Sequence, residues 1–485
     1  MNPDTRPAAP TLARELALFT DLYELTMCQG YLLSGRADVR VSCDYFSRTT
    51  PFSGGWTVFA GLDELLSQLS SLRFEPDHLD ALRSLRVFKP EFLDFLSSWR
   101  FEADVDAVRE GELVFPLEPA LRVTGRIFDA QLIESLLLNT LNFCSLIATK
   151  ASRIKHAAGE RPVVEFGLRR AQGLGALQAS RAAAIGGVDA TSNVLAAHQW
   201  GLDVVGTHAH AWVQSFGDEL AAFRAMAQHY PERCVLLVDT YNTLHSGIPN
   251  AITVARELAA AGHKLDAIRL DSGDLAYLSK KARAQLDAAG LPHVKIYATN
   301  QLDEHLIKSL LDQGAPIDLF GVGTRLVTGH PDAALDGVYK MGVVGGEPCL
   351  KISDNFTKVN LPGDKALYRF LQEDGTLYGD AIALGHERAP DIIYHPFFPE
   401  QSSRVAHRAH ESLLRPVMRA GQLSDAPVHP LTARAYCRAQ LARLPDEHKR
   451  FANPHTYKVG VSKALLDLRA SVYAATRART TPDAE

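Results

Sequence analysis

An α/β fold in two parts is what this sequence predicts: an irregular TIM-like β/α barrel, and a second α/β domain with a mostly antiparallel sheet built from N- and C-terminal segments. Three observations carry that expectation. A chain of 485 residues exceeds what one compact core normally serves. Between Val163 and Phe320, short apolar runs alternate with helical patterns at intervals that suit βα units and a parallel sheet. Each run ends at once in polar or glycine residues: GLRRAQG, THAH, DTYNT, DSGD, ATNQ and GVGT in turn. Ligands of parallel α/β folds bind beyond the carboxyl ends of the strands, and an open sheet would decorate only its switch point. Six decorated strands therefore favour a barrel, over about 125–336.

Taken in order, residues 1 to about 18 are rich in Pro, Ala and Arg and are expected to fray, as is a disordered tail over 476–485. Asp21, with Glu24 three residues on, predicts a capping box that opens a helix running to about Ser34. Val39, Val41, Cys43 and Tyr45 alternate as a half-buried strand does. Helical patterns follow near 61–70, 77–86 and 90–98, then a second alternating stretch from Leu121, then a long helix from about Asp129 to Ala158. Barrel strands are expected at Val163–Phe166, Val204–Gly206, Val235–Val238, Ala267–Leu270, Val294–Tyr297 and Ile317–Phe320. Helices are expected between them over 173–185, 217–229, 250–261, 274–289 and 302–313. After 337, turns such as those at Gly375 and Gly363 predict an antiparallel sheet that pairs with the early strands near 39–60 and 121–125. Helices over about 430–475 close the chain. The domains so drawn are 1–124 and 337–475, which share the sheet, and 125–336, the barrel.

Composition narrows the partners. Lys plus Arg is 51 against Asp plus Glu 56, a net charge of -5, so no basic excess exists to neutralise a nucleic-acid backbone. Cys28, Cys43, Cys144, Cys234, Cys349 and Cys437 are scattered without a CxxC pair, which argues against structural zinc and against a disulfide scaffold. Asp4 and Glu15 interrupt the N-terminus, which lacks the apolar run of a signal peptide. The most apolar stretch, Leu132–Ala148, is broken by Glu134, Asn139 and Asn142 and reads as a buried helix rather than a membrane span. A soluble, cytoplasmic protein with reduced thiols is the expectation.

The motifs then suggest chemistry, each against a plainer alternative. GVGT over 321–324 offers glycine amides and a hydroxyl that suit a phosphate, or is simply a tight turn. In RLDSGD over 269–274, Arg269 can fork onto a carboxylate while Asp271 takes ribose hydroxyls or Mg²⁺; the alternative is an ion pair, with Asp274 a helix cap. Phe166 can stack on a flat ring and Arg169 can hold a phosphate, or Phe166 is core and the arginine solvated. His208 and His210, two residues apart, point the same way on an extended backbone and suit metal, nucleophilic or acid–base work, or are structural. Asp239, at the next strand end, can orient one imidazole. Asp189 in GGVDATSN is an acid that, near an aromatic slot, would suit an amide better than an anion. Gathered at one barrel mouth, this inventory suits a flat anionic base and a phosphorylated sugar.

With these residues in view, the chain resembles the nicotinate phosphoribosyltransferase family over nearly its whole length. LFTDLYELTMCQGY, EFGLRRAQG, GTHAH, VDTYNT, RLDSGDL, GVGT, KVNLPGDK and NPHTYKV match in order and spacing. The resemblance implies that His210 is the histidine phosphorylated by ATP and Asp239 the carboxylate that holds it. It implies nicotinate contacts from Phe166, Thr207, Arg269 and, across a homodimer interface, Tyr23. Arg169, Asp271, Ser272, Gly273, Gly323 and Thr324 match the phosphoribosyl pyrophosphate pocket, and Arg48, Lys340, Lys351 and Lys358 are further candidates for phosphate or ATP contacts. Mg²⁺ is implied as cofactor, without identified protein ligands, and ATP as co-substrate. His208 falls at a variable position and is expected to be secondary. The implied activity is formation of nicotinate mononucleotide, opening NAD salvage from nicotinic acid. The rivals are a nicotinamide phosphoribosyltransferase, a quinolinate-using relative, a catalytically silent nucleotide sensor, and a metal-dependent hydrolase built on the histidine pair.

Overall fold

The computed structural model describes residues 15–351 and 360–480. The chain divides into two compact units: Met1–Leu146 with Ala334–Val428 and Tyr436–Glu485, and Ile147–Ala333 with His429–Ala435. It enters the second unit inside the helix Glu134–Ala158, later than the position near 125 that the sequence suggested. The reason is pairing: Leu121–Arg126 lies between Arg40–Ser47 and Asp104–Ala107, which commits it to the first unit.

The first unit is built on an antiparallel sheet in the order Glu347–Pro348, Gly337–Val344, Arg40–Ser47, Leu121–Arg126, Asp104–Ala107, Arg415–Arg419, Gln422–Leu423. Early and late segments thus pair as expected, Tyr45 lying opposite both Tyr339 and Leu121. Leu121–Arg126 alternates buried and half-buried residues, but Arg40–Ser47 is buried at every position after Arg40. That strand is covered on both faces, and its inward polar residue is neutralised: Asp44 meets Lys365 at 2.7 Å. A second sheet of six strands joins Lys365–Leu371 and Leu377–Leu384 through a tight turn. Gly375 sits in that turn at φ +83°, a conformation that only glycine adopts without strain. Beneath it Arg369 is fully buried, held by Asp380 at 2.7 Å, by Glu112, and by the Leu113 carbonyl at 2.7 Å. Burial pushes the nearby Glu118 carboxyl well above its usual range, and the charge of Asp380 adds to the rise.

Near the N-terminus the helix Leu22–Leu33 begins where Asp21 predicts, without the capping box. Glu24 is buried and turns instead to Ser135, accepting from its amide at 2.8 Å and its hydroxyl at 2.7 Å. The six cysteines are free. Among the described residues no helix is long and apolar enough to cross a membrane. At the C-terminus, helices Pro430–Arg443 and Lys463–Thr480 flank the strand Val459–Val461. The last of these reaches into the expected 476–485 tail, and 481–485 lie outside the described residues.

In the second unit six parallel strands run in the order Ala190–Thr191, Val163–Glu165, Leu319–Val322, Lys295–Ala298, Ala267–Leu270, Val235–Leu237. This is the cyclic order of a β/α barrel, with helices Gly175–Ile185, Glu219–His229, Ile248–Ala260, Leu275–Ala288 and Glu304–Asp312 on the connections. The strand foreseen at Val204–Gly206 shrinks to a single bridge, Val204 to Thr191, while Ala190–Thr191 is a strand that the apolar pattern did not reveal. Among the described residues no backbone pairing joins the Val204 segment to Val235–Leu237, so the barrel stays open at that seam. Helix starts follow the strand ends closely because side chains cap them: Asp274 accepts from the Tyr277 amide at 3.0 Å and Asp303 from the Leu306 amide at 2.8 Å.

One buried ion cluster ties this unit together. Lys150 and Arg153, on the helix Glu134–Ala158, reach Glu304 at 2.6 Å and 2.8 Å, all three inaccessible to solvent. Burial lowers the Lys150 ammonium; it would raise Glu304, but the two cations hold that carboxyl below its ordinary range. Removing the anion takes from the core the carboxylate that both cations share, so Glu304→Gln is expected to destabilise this unit by roughly 3–5 kcal/mol. Urea titration followed by tryptophan fluorescence measures it; an unchanged midpoint would show that the cluster contributes nothing net.

Candidate active site

The carboxyl ends of the parallel strands bring most of the expected residues of the second unit into one hydrogen-bonded group. Arg269 is the centre of it. Its strand ends at Leu270, and its guanidinium, with a side chain 16% exposed, is gripped on three sides. Nε donates to the Thr299 hydroxyl at 3.1 Å, Nη1 to the Thr207 hydroxyl at 2.8 Å, and Nη2 meets Asp271 at 3.2 Å. Thr299 in turn donates to Asp271. The Arg269 guanidinium carbon stands 5.9 Å from the centre of the Phe166 ring, within reach of a cation–π attraction. A planar guanidinium held this way beside an aromatic face can direct its remaining Nη2 hydrogen at a planar acid at a set angle.

Phe166 owes its place to Gly321. A Cβ built at Gly321 would fall 2.5 Å from the Phe166 ring, so a larger residue there would evict the aromatic. The ring's backbone is held by its amide, which donates to the Val322 carbonyl at 2.8 Å. Underneath lies Glu165, fully buried. It accepts from the Thr191 hydroxyl at 2.6 Å, the Ser180 hydroxyl at 3.0 Å and the Gly167 amide. The carboxylate thereby sets the start of the 167–171 turn, from which Arg169 projects exposed.

His210 is half-buried at the start of the helix His210–Phe216. Its Nδ1 lies 3.1 Å from the Thr240 hydroxyl and its Nε2 3.7 Å from Asp271. Asp239, expected to hold this imidazole, is turned elsewhere: it accepts from the Asp271 amide and the Ser272 hydroxyl, each at 2.7 Å. The backbone explains the exchange. Asp239 at its strand end meets the neighbouring RLDSGD turn, and the next residue, Thr240, faces the histidine.

His208 and His210 do not point the same way. The backbone passes from extended at Ala209 into a helix at His210, which breaks the alternation that an HxH pair needs. His208 is 7% exposed, and its Nε2 accepts from the Leu237 amide at 3.0 Å. Burial pushes its pKa down to about 4, with the charges of Arg269 and His210 acting in the same direction and a hydrogen bond to Ala209 opposing. The pair is therefore not arranged as a shared metal site, and no cluster of three or more His, Cys, Asp or Glu capable of one occurs among the described residues.

Ser272 and Gly273 are exposed in the turn, Gly273 at φ +75°. Asp274 is the helix cap, as the plainer alternative held. Gly323 passes close beneath Phe166, where a Cβ would meet the Phe166 carbonyl at 3.1 Å, and Thr324 opens the short helix Thr324–Val327. Asp189 lies at the other end of the strands, bound to Lys155 at 2.9 Å and to the amide of Val163 at 2.8 Å, so it does not enter the slot. The remaining candidates belong to the first unit. Tyr23 is 48% exposed, Arg48 approaches Asp336 at 3.7 Å, Lys340 donates to the Tyr339 carbonyl at 2.9 Å, and Lys351 is exposed. Lys358 lies outside the described residues. Thr240, Thr299 and Glu165 had been given no role by sequence, although each stands in or beside a motif at a strand end.

Residues 18–142, 162–376 and 364–469 match family models described as the nicotinate phosphoribosyltransferase N-terminal domain, the nicotinate phosphoribosyltransferase family, and the nicotinate phosphoribosyltransferase C-terminal domain. The chain is 41% identical over 460 residues to a nicotinate phosphoribosyltransferase of Bacillus subtilis, covering 92% of this chain and 93% of that protein. It is 36% identical over 512 residues to one of Dictyostelium discoideum, covering 93% and 87% respectively. The crystal structure of human nicotinic acid phosphoribosyltransferase superposes with a TM-score of 0.81 at 32% identity, covering 94% of this chain and 99% of the human one. With matches of this length joined to a site of this composition, the chain belongs to the nicotinate phosphoribosyltransferase family.

Proposed function

We propose that this protein joins nicotinate to the phosphoribosyl group of phosphoribosyl pyrophosphate while ATP and water are consumed, giving nicotinate mononucleotide, pyrophosphate, ADP and phosphate, the first step of NAD salvage from nicotinic acid. The observation that carries this reading is the Arg269 fork, braced by Thr207 and Thr299 beside the Phe166 ring. A pyridine ring laid on Phe166 puts its carboxylate within reach of a guanidinium and a hydroxyl. The displacement of Asp189 to the far end of the strands removes the acid that would have favoured an amide.

The reaction asks for placement more than for covalent chemistry. The ring nitrogen of nicotinate attacks the anomeric carbon as pyrophosphate departs, through a transition state with oxocarbenium character. Holding the base in a slot and the sugar phosphate at the Arg169, Gly323 and Thr324 turns turns this into a step between oriented partners. Asp271 is suited to the ribose hydroxyls, with Ser272 and Gly273 beside it. Mg²⁺ typically binds through one or two carboxylates together with substrate phosphates, and Asp271 and Asp239 are the carboxylates at hand; bound with the pyrophosphate it supplies charge neutralisation of the leaving group.

His210 is the residue for the ATP-linked step. Its Nε2 faces outward toward Asp271, its Nδ1 is engaged by Thr240, and it is accessible. Transfer of the γ-phosphoryl group to the imidazole, with release of ADP, places a dianion beside Asp271 and Arg269. That charge is enough to bias how substrate and product bind: about 100-fold in affinity needs only about 2.7 kcal/mol. A homodimer with Tyr23 completing a partner's slot fits the exposed apolar face of Phe19, Leu22, Tyr23 and Met27. Arg48, Lys340, Lys351 and Lys358 stay candidates for phosphate or ATP contacts, and a cytoplasmic location fits the six free thiols.

Purified protein with phosphoribosyl pyrophosphate and Mg²⁺ is expected to convert nicotinate and not nicotinamide, faster with ATP. His210→Ala is expected to keep a basal rate and lose the ATP stimulation; conversion mainly of nicotinamide would overturn the substrate assignment. Arg269→Ala is expected to lower kcat/KM for nicotinate by about 100-fold, about 2.7 kcal/mol of lost recognition. Most of that loss should appear in the nicotinate KM, and steady-state kinetics at saturating phosphoribosyl pyrophosphate would show it.

A further inference from the structure

We infer that His208 is a positioning residue of the nicotinate pocket: its neutral imidazole stands in for the strand pairing that the barrel lacks beside Val235–Leu237, and so holds Thr207 and the His210 turn against Arg269. The inference rests on the function proposed above for what the pocket binds; its geometry stands by itself.

The seam is the starting point. Among the described residues Val235–Leu237 pairs with Ala267–Leu270 on one side only, and the segment after Val204 does not continue as a strand on the other. The Leu237 amide is thereby left without a backbone acceptor, in a strand where Leu236 and Leu237 are fully buried. An unsatisfied buried amide is costly, and a side chain that accepts from it closes the gap. His208 Nε2 does so at 3.0 Å. An acceptor at Nε2 requires the proton on Nδ1, and Nδ1 faces the Ala209 carbonyl at 3.4 Å. The same residue's carbonyl accepts from Arg269 Nη1 at 3.4 Å and from the Thr207 hydroxyl at 3.2 Å. One residue therefore spans two strands: its ring is bound to Val235–Leu237 and its carbonyl to the guanidinium rising from Ala267–Leu270.

The surroundings keep the ring neutral. The groups facing it are the Phe223 ring at 6.2 Å from the Glu219–His229 helix, Arg269 from its strand, and His210 from the next helix; none is an anion. Burial lowers the His208 pKa from 6.5 to about 4. Between those values the unfolded chain takes up a proton that the folded chain refuses. The stability contributed by neutral His208 is thus present above about pH 6.5 and declines as pH falls toward about 4.

Glutamine can place an acceptor near the position of Nε2 and does not titrate; asparagine reaches only as far as Nδ1. His208→Ala and His208→Asn are expected to raise the nicotinate KM at least tenfold while the phosphoribosyl pyrophosphate KM stays within threefold. His208→Gln is expected to restore the nicotinate KM to within threefold of wild type and to lose less thermal stability than wild type between pH 7.5 and 5.5. In wild-type protein, ring ¹⁵N spectra should show a histidine that is protonated on Nδ1 alone, does not titrate down to pH 5.5, and is assigned to His208 by its absence from His208→Gln. Should His208→Ala fail to fold, the contrast between Gln and Asn decides. Equal rescue by both, an unchanged KM in His208→Ala, or a His208 ring that titrates near pH 6.5 would overturn the inference. Wild type that ignores nicotinate would instead overturn the proposed substrate, while the spectra and the pH-dependent melting would still test the seam.

Discussion

A guanidinium can present a set face to a carboxylate only if it is held still, and Arg269 is held on several sides. Thr207, Thr299, Asp271 and the His208 carbonyl share its donors, and of these only Asp271 is an acid, which Thr299 also engages. Thr207, Thr299 and Asp271 would have no common purpose in a loop-built site. On a parallel sheet the strands before Asp271 and Thr299 end side by side, and Thr207 joins them from the segment that follows the Val204 bridge. The aromatic wall depends on the same alignment, because Phe166 and Gly321 lie on adjacent strands and only the absent side chain at 321 leaves room for the ring.

The polar layer beneath the site is what keeps it rigid. Glu165 is buried with three donors converging on its two oxygens, from the strand Ala190–Thr191, the helix Gly175–Ile185 and its own turn, so the loop that carries Phe166 and Arg169 begins from a satisfied anion. Asp239 plays the corresponding part for RLDSGD, clasping the Asp271 amide and Ser272 hydroxyl. Both carboxylates act through backbone amides, and a carboxylate accepting two or three hydrogen bonds is well suited to hold a turn. In consequence Asp271 faces His210 and Arg269 at once, which electrically couples the histidine to the guanidinium.

The sequence made much of this legible, and the misses share a cause. Helices 217–229, 250–261, 274–289 and 302–313 came within a few residues because their caps and apolar faces are local signals. The early and late strands were matched to one another because alternation and turn residues show at both ends. Val204–Gly206 misled because three apolar or small residues look like a strand whether or not a neighbour lies alongside. Asp21 and Glu24 had the spacing of a capping box, but Ser135, more than a hundred residues away, offered Glu24 two better donors.

By itself, then, the chain determined which residues stand at strand ends and what groups they offer: a guanidinium at Arg269, a flat face at Phe166, a glycine turn with a hydroxyl at Gly323 and Thr324, an imidazole at His210. These are properties of residue type and local period. Only the tertiary structure decided who holds whom. Asp239 serves the backbone of Asp271 rather than His210, Thr240 takes the imidazole, His208 turns away to the Leu237 amide, and Asp189 goes to the far end of the sheet. The physical reason is that hydrogen-bond partners are assigned by distance in space after the strands are in register, and a displacement of one residue at a strand end changes the partner without changing the pattern.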